Sequence, residues 1–528
     1  MKRGDTAGVY TRDATGLVRA LGPMDIFIWT VVFFPWFSSW ISNYWYTPSV
    51  VVNVNYYIAI AIWFGLFCIF PPAVWWMLTA IMPRSGGDYV FASRGLHPAL
   101  GFAASFGVTF ALALSAIGAA PLFGLAQAAT QLETVGQITN NPAVVAAGNF
   151  IDPFGASTKI IIYAIGLGIL ALGAAFAFFG IGIYNKVLWG IFILGVLGVV
   201  IEVPILLTTS RPAFEAAYAT YYSGGMQGVF AAAQKAGYTP GISLNASVAA
   251  VPLLLINLGP YLFMYNVAGE VRNAKKSYLW GAWGAIFLSA IFFLMFTILT
   301  DRVMGIGFIE AWTFANGGYA PVVSALLAVV VPNLAVNVIL AIILLVSNVG
   351  FGFLGFAFAS RPMFAWAFDR VLPSKLASVS DRYHTPGTAI TVTLLISWIG
   401  WSLYIYGHGF TSVILNSLLI KFVAWAIVSL AAVAIPYTRK EIFENSPVAY
   451  RVAGVPVISI LGAISCVTFA GYVVNSVTTT EFYTPTGYQA GFLILLFAAT
   501  VIWYFLAAAY RKSQGIDISK AFVQLPPD

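Results

Sequence analysis

Val32-Phe33-Phe34-Pro35-Trp36-Phe37-Ser38-Ser39 interrupts the first long apolar run of this chain, Met24 to Ile41. A second interruption, Asn257-Leu258-Gly259-Pro260, stands at the middle of the run from Val248 to Gly269. Proline removes a backbone donor and its ring clashes with the preceding turn, so a helix kinks or unwinds there. In hydrocarbon, freed backbone groups are tolerated only where protein buries them or a cavity takes them up. One such proline is an ordinary kink. Two at corresponding places in two halves of a chain point to a substrate site between the halves.

The rest of the composition places these breaks in a membrane. The chain has 528 residues, 60% of them hydrophobic and only 8% charged. Repeated apolar stretches of about 20 residues mean a polytopic helical membrane protein. Twelve spans are expected, near 24–48, 56–81, 98–130, 159–182, 186–209, 247–270, 278–300, 334–360, 387–406, 410–435, 454–476 and 489–510. The apolar runs are continuous rather than alternating, which excludes a strand reading. One set of loops holds only Lys159, Arg211, Lys235 and Arg302. Every other Lys and Arg outside the spans shares the side of the two termini, so both termini are expected in the cytoplasm of a cell-membrane protein. The net charge of +7 follows from that bias and points to anionic lipid headgroups, not nucleic acid. The residues before Leu21 are polar, and the first apolar run is long and aromatic, so it reads as a retained span rather than a cleaved leader. Cys68 and Cys466 lie within spans, and His97, His384 and His408 sit at loop edges without ligand spacing. No metal or cofactor is expected.

The broken spans are the first and the sixth, so the repeat is five spans long. An odd repeat enters the membrane from the opposite side the second time, which makes it inverted. The expected organisation is a cytoplasmic segment 1–23, a transmembrane domain 24–510 and a cytoplasmic tail 511–528. Within the domain, repeat one covers about 24–209, repeat two about 247–435, and two appended helices about 454–510.

Three basic-side loops carry further signals. They are Met82-Pro83-Arg84-Ser85-Gly86-Gly87-Asp88-Tyr89, then Gly269-Glu270-Val271-Arg272-Asn273-Ala274-Lys275-Lys276-Ser277, and Ser360-Arg361-Pro362-Met363-Phe364-Ala365-Trp366-Ala367-Phe368-Asp369-Arg370 running on to Thr385-Pro386. In this order and at these helix ends the chain resembles the amino acid permeases of the amino acid–polyamine–organocation (APC) superfamily, over roughly residues 20–510. The resemblance implies an all-α fold of the LeuT-type 5+5 inverted repeat with two appended helices. It also implies secondary active transport by alternating access. Arg84, Asp88, Glu270, Arg361 and Asp369 are candidates for a cytoplasmic gate of opposite charges. The competing reading is solvated loop charge.

In permeases of this type the first break carries a small-residue pattern with glycine, whose open amides bind a substrate carboxylate. Here Phe34, Pro35, Trp36, Phe37, Ser38 and Ser39 occupy it, without glycine. Pro35 still breaks the helix and the serines offer hydroxyls, but Trp36 and Phe37 are bulky. From the second break come Asn257, Leu258, Gly259, Pro260 and Tyr261, with carbonyls able to accept from a substrate ammonium. Thr109 and Asn348, with Ser115 and Ser347, lie near mid-depth on spans 3 and 8, where helix–helix hydrogen bonding is the plainer role. Glu202 and Lys421 are charges inside spans, functional by default. Burial disfavours the charged form of either, as a proton carrier requires. Glu202 is the first candidate for protonation and Lys421 the second.

These readings describe a secondary transporter for a small neutral amino acid or related organic substrate. Proton coupling is favoured over sodium, and lipids and the small-molecule substrate are the expected partners, with oligomeric state open. An amine, polyamine or organic-acid carrier or exchanger is the alternative within the class. A non-transporting sensor or structural membrane component is the alternative outside it. No catalytic constellation stands at mid-span, so an enzyme is not expected.

Overall fold

Pro35 ends one helix and begins the next. α1 (Pro23–Phe33) and α2 (Trp36–Tyr46) are separated by Phe34 and Pro35. Phe34 lies at φ −131° and ψ 64°, and Pro35 at φ −62° and ψ 113°. The Phe34 amide still closes on the Thr30 and Val31 carbonyls, at 3.0 and 3.2 Å. The ladder then starts afresh with the Ser39 amide donating to the Pro35 carbonyl at 2.8 Å. Proline has no N–H, so the bonds cannot run through it. The amides of Trp36, Phe37 and Ser38 therefore have no acceptor inside α2.

The computed structural model describes residues 16–155, 159–258, 260–318, 320–407, 410–478 and 487–523. After the break come α3 (Tyr56–Ile81), the short α4 (Gly87–Gly95), α5 (Pro98–Ile138), α6 (Lys159–Phe178) and α7 (Ile181–Thr208). The second half begins with α8 (Leu244–Leu258), followed by a tighter stretch at Pro260–Glu270. It continues through α9 (Ala274–Val303), the short α10 (Ile306–Ala315) and α11 (Val323–Leu327), then α12 (Leu334–Phe368) and α13 (Gly387–Tyr406). Last come α14 (Phe410–Thr438), α15 (Val457–Thr478) and α16 (Gly487–Ser513). Among the described residues eleven helical runs are long and apolar enough to cross a membrane, with α1 and α2 counted as one. The sixth expected span is not among them. It is divided between α8 and Pro260–Glu270, and Gly259 lies outside the described residues. Two long loops that lack apolar length hold short helices instead, at Pro142–Ile151, Arg211–Tyr221 and Gly225–Lys235.

Small residues let the helices approach closely. Gly166 of α6 faces the Trp401 indole of α13, and Gly400 of α13 meets the Leu114 carbonyl of α5. α5 and α12 pack along each other, and α14 packs on α5 and α15. Three helices widen by a π-turn, at Trp63–Cys68, Leu112–Ile117 and Tyr278–Ala282. Such turns turn a carbonyl out of the ladder and recur at functional sites. In α5 the Ser115 carbonyl accepts from the Tyr404 hydroxyl at 3.0 Å.

At one end of the bundle, here the basic end, several connections meet. The Ala20 and Leu21 amides both donate to the Glu270 carbonyl at 3.0 Å, and the Gly86 amide donates to the Asn266 carbonyl at 2.8 Å. Gly86 takes φ +96° before α4, a conformation glycine adopts without steric cost.

Candidate functional site

The break in α1–α2 opens onto a small cavity. Phe33, Pro35 and Ser39 line it from the first span, and Ser115, Ala116, Ala119, Ala120 and Phe123 from α5. Asn348 and Phe351 come from α12, Ser417 and Lys421 from α14. Its volume is about 30 Å³, room for about two waters. The Phe33 and Phe351 rings stack at 4.7 Å and form one wall. A buried polar chain fixes another. Asn348 Nδ2 donates to Gln127 Oε1 at 3.1 Å and to the Leu344 carbonyl at 2.9 Å, and Gln127 Nε2 donates to Ser42 Oγ at 2.7 Å. The π-turn in α5 carries Ser115 to the cavity.

Among the described residues Lys421 is the single formal charge on this lining, and it is 8% exposed. No hydrogen-bond or ion-pair partner for its ammonium is found among the described residues.

Of the break residues named from sequence, Pro35 and Ser39 reach the cavity, as do Asn348 and Lys421 from elsewhere. The others take structural places. Trp36 turns away, its Nε1 donating to Ser289 Oγ at 2.8 Å and its ring stacking on Phe292 at 4.5 Å. Phe37 packs on Gly198 of α7. Phe34 lies 5.9 Å from the Tyr261 ring, and the Tyr261 hydroxyl donates to the Phe67 carbonyl. Ser38 is buried without a hydrogen-bond partner for its hydroxyl among the described residues, and Thr109 is buried on α5 outside the lining. Gly259 and the side chains of Asn257, Leu258 and Pro260 lie outside the described residues. Glu202 is fully buried on α7, away from the cavity. Neither of its oxygens has a hydrogen-bond partner among the described residues.

The basic end carries two buried ion pairs. Arg361 of α12 holds Glu270 through Nε to Oε1 at 2.7 Å and Nη2 to Oε2 at 2.9 Å. Arg94 of α4 meets Asp369 at 2.7 Å, with both side chains nearly fully buried. Phe522 lies over the Arg94 guanidinium at 4.9 Å, and the Ala521 carbonyl accepts from it at 3.4 Å. Asp88 is directed elsewhere: its Oδ1 accepts from Trp75 Nε1 at 2.6 Å, and burial pushes its carboxyl up to about 7 against that bond. Arg84 Nη1 donates to the Pro83 carbonyl at 3.2 Å.

Sequence reasoning missed Phe33, Phe123, Phe351, Gln127 and Ser417. Aromatic and small polar residues fill every span here, so nothing local marks these five. It also missed the C-terminal residues that cover Arg94, because a lone Phe522 in a polar tail carries no pattern.

The family model described as amino acid permease matches residues 27–502 of the chain. No curated protein matches it.

Proposed function

The chain belongs to the amino acid permease family of the APC superfamily, and from that premise we propose that it moves a small amino acid or related organic substrate through the cavity at the Pro35 break. The family and the membrane-spanning helices make it a transporter. The observation that carries the reading is the position of the cavity. It lies where a helix is interrupted, between helices from both halves of the chain, which is where carriers built of two inverted repeats hold their substrates.

The basic end faces the cytoplasm in this reading, in keeping with its Lys and Arg. The Arg361–Glu270 and Arg94–Asp369 pairs hold it shut, and α10 and α11 cover the opposite end, where Glu310 accepts from the Asn53 and Val54 amides at 3.1 Å. Alternating access opens one end at a time. Glu202 is the proton carrier of the scheme, as an acid inside a span that is fully buried and, among the described residues, has no hydrogen-bond partner.

Uptake into proteoliposomes tests this reading. Labelled amino acids, organic acids and amines are offered with and without an inward proton gradient, to the native protein and to Glu202→Gln. Gradient-driven accumulation that the variant loses is the expected result. Accumulation that ignores the gradient removes proton coupling, and coupling retained in the variant removes Glu202.

A further inference from the structure

We propose that Lys421 receives the carboxylate of the substrate, and that the cavity selects a small organic acid of net negative charge. The inference deepens the transport reading above and rests on it for the location of the site.

The lining holds one cation and, among the described residues, no acid. Lys421 is more than nine-tenths buried and has no partner there for its ammonium. Keeping an unpaired charge out of water is costly, and an anion placed beside it offsets that cost. A second positive feature lies next to the cavity, whose lining includes Pro35 and Ser39 at the start of α2. α2 starts at Trp36, beside Pro35, and its first three amides lack acceptors inside the helix. A helix start of this kind carries partial positive charge and favours anions. Lys421 of α14 and the residues that flank the start of α2 thus line one small volume.

The remaining surface limits what else the substrate carries. Phe33, Phe123, Phe351, Ala116, Ala119 and Ala120 contribute apolar side chains, and Ser39, Ser115, Asn348 and Ser417 contribute neutral polar ones, suited to a short stem without a second charge. The cavity of about 30 Å³ accepts few atoms in this closed state. An amine or polyamine would meet Lys421 as a like charge, with no carboxylate among the described lining residues to offset its lost hydration. This assignment also gives a reason for the missing glycines. Where a lysine supplies the carboxylate partner, the chain at the break need not approach the substrate closely.

Binding to the purified protein in detergent tests the proposal apart from any flux. Propionate, alanine and propylamine have similar bulk and differ in charge. Titration calorimetry and ligand-induced thermal stabilisation are read for each. Propionate is expected to bind, more tightly than alanine, with no response to propylamine. Lys421→Met should weaken propionate about 30-fold or more, and Lys421→Arg should keep most of it. Native protein that binds propylamine, or alanine ahead of propionate, overturns the net-anion assignment, whichever variants fold. Unchanged propionate binding in a folded Lys421→Met overturns the role of Lys421. Propionate binding without uptake in vesicles would leave this inference standing and sink the transport reading instead.

Discussion

Arg361 and Glu270 form a two-pronged ion pair, with contacts of 2.7 and 2.9 Å, that ties α12 to the end of the Pro260–Glu270 stretch. Both side chains are buried. The Glu270 carbonyl also takes the Ala20 and Leu21 amides, so one residue joins the chain before α1 to the second half. Removing one member leaves the other charged and buried. Glu270→Ala is expected to cost about 3–5 kcal/mol of stability. The Glu270→Met, Arg361→Met pair should cost clearly less than the two single changes summed. Thermal unfolding of Glu270→Ala, the two single Met variants and the double variant in detergent checks both statements, and additive losses would mean the pair acts as two separate groups.

Phe522 covers the Arg94–Asp369 pair from the C-terminal tail. Its ring is almost fully buried and also lies near Tyr89 and Tyr504. Phe522→Ala should lower stability by about 2–3 kcal/mol through lost burial and lost contact with the guanidinium. Limited proteolysis should then cut the α4 region faster. Equal cleavage rates in native and variant protein would show that the tail does not hold this end closed.

Asp88 gives the pH dependence a sign. Its folded-state value lies near 7, above that of an ordinary carboxyl, because burial disfavours the charged form. The neutral acid therefore favours the fold. That contribution is complete below about pH 4 and is lost as pH rises through about 7. The melting temperature should fall as pH rises from about 4 to about 7 and level off above that, and Asp88→Asn should flatten that part of the curve. A curve of the same shape in the variant would assign the effect to another group.

Two glycines on α6 separate packing from backbone effects. Gly166 faces the Trp401 indole, whereas a methyl at Gly168 meets nothing within 4 Å. Gly166→Ala should destabilise by about 1–3 kcal/mol, since the indole is held by neighbours. It donates to the Tyr163 carbonyl at 2.9 Å. Gly168→Ala should be neutral or stabilise by up to about 1 kcal/mol through helix propensity. Side-by-side melting curves decide, and equal shifts would mean that α6 and α13 do not depend on this contact.

The membrane class and the break at Pro35 were legible because they rest on local chemistry. Hydrophobic length reports a span wherever it occurs, and proline interrupts a helix whatever surrounds it. The loop residues Glu270, Arg361 and Asp369 were legible as a set of charges, but their pairing was not. Asp88 and Arg84 share a loop with opposite charges, yet Asp88 turns to the Trp75 indole. Trp36 was named for the site on its place beside the break and instead faces Ser289. Which way a side chain leaves a helix after a kink depends on the dihedrals at Phe34 and Pro35 together.

By itself the sequence determined that this chain is a helical membrane protein with a helix interrupted at Pro35, because apolar run length and the missing proline N–H act within one segment. Only the tertiary structure decided that Lys421, some 380 residues downstream on a scale that spans the whole fold, shares a cavity with that interruption. It also decided that Glu202, a second charge the sequence pointed to within a span, does not. Proximity between distant segments is a product of helix packing, and packing depends on the shapes of all the faces at once.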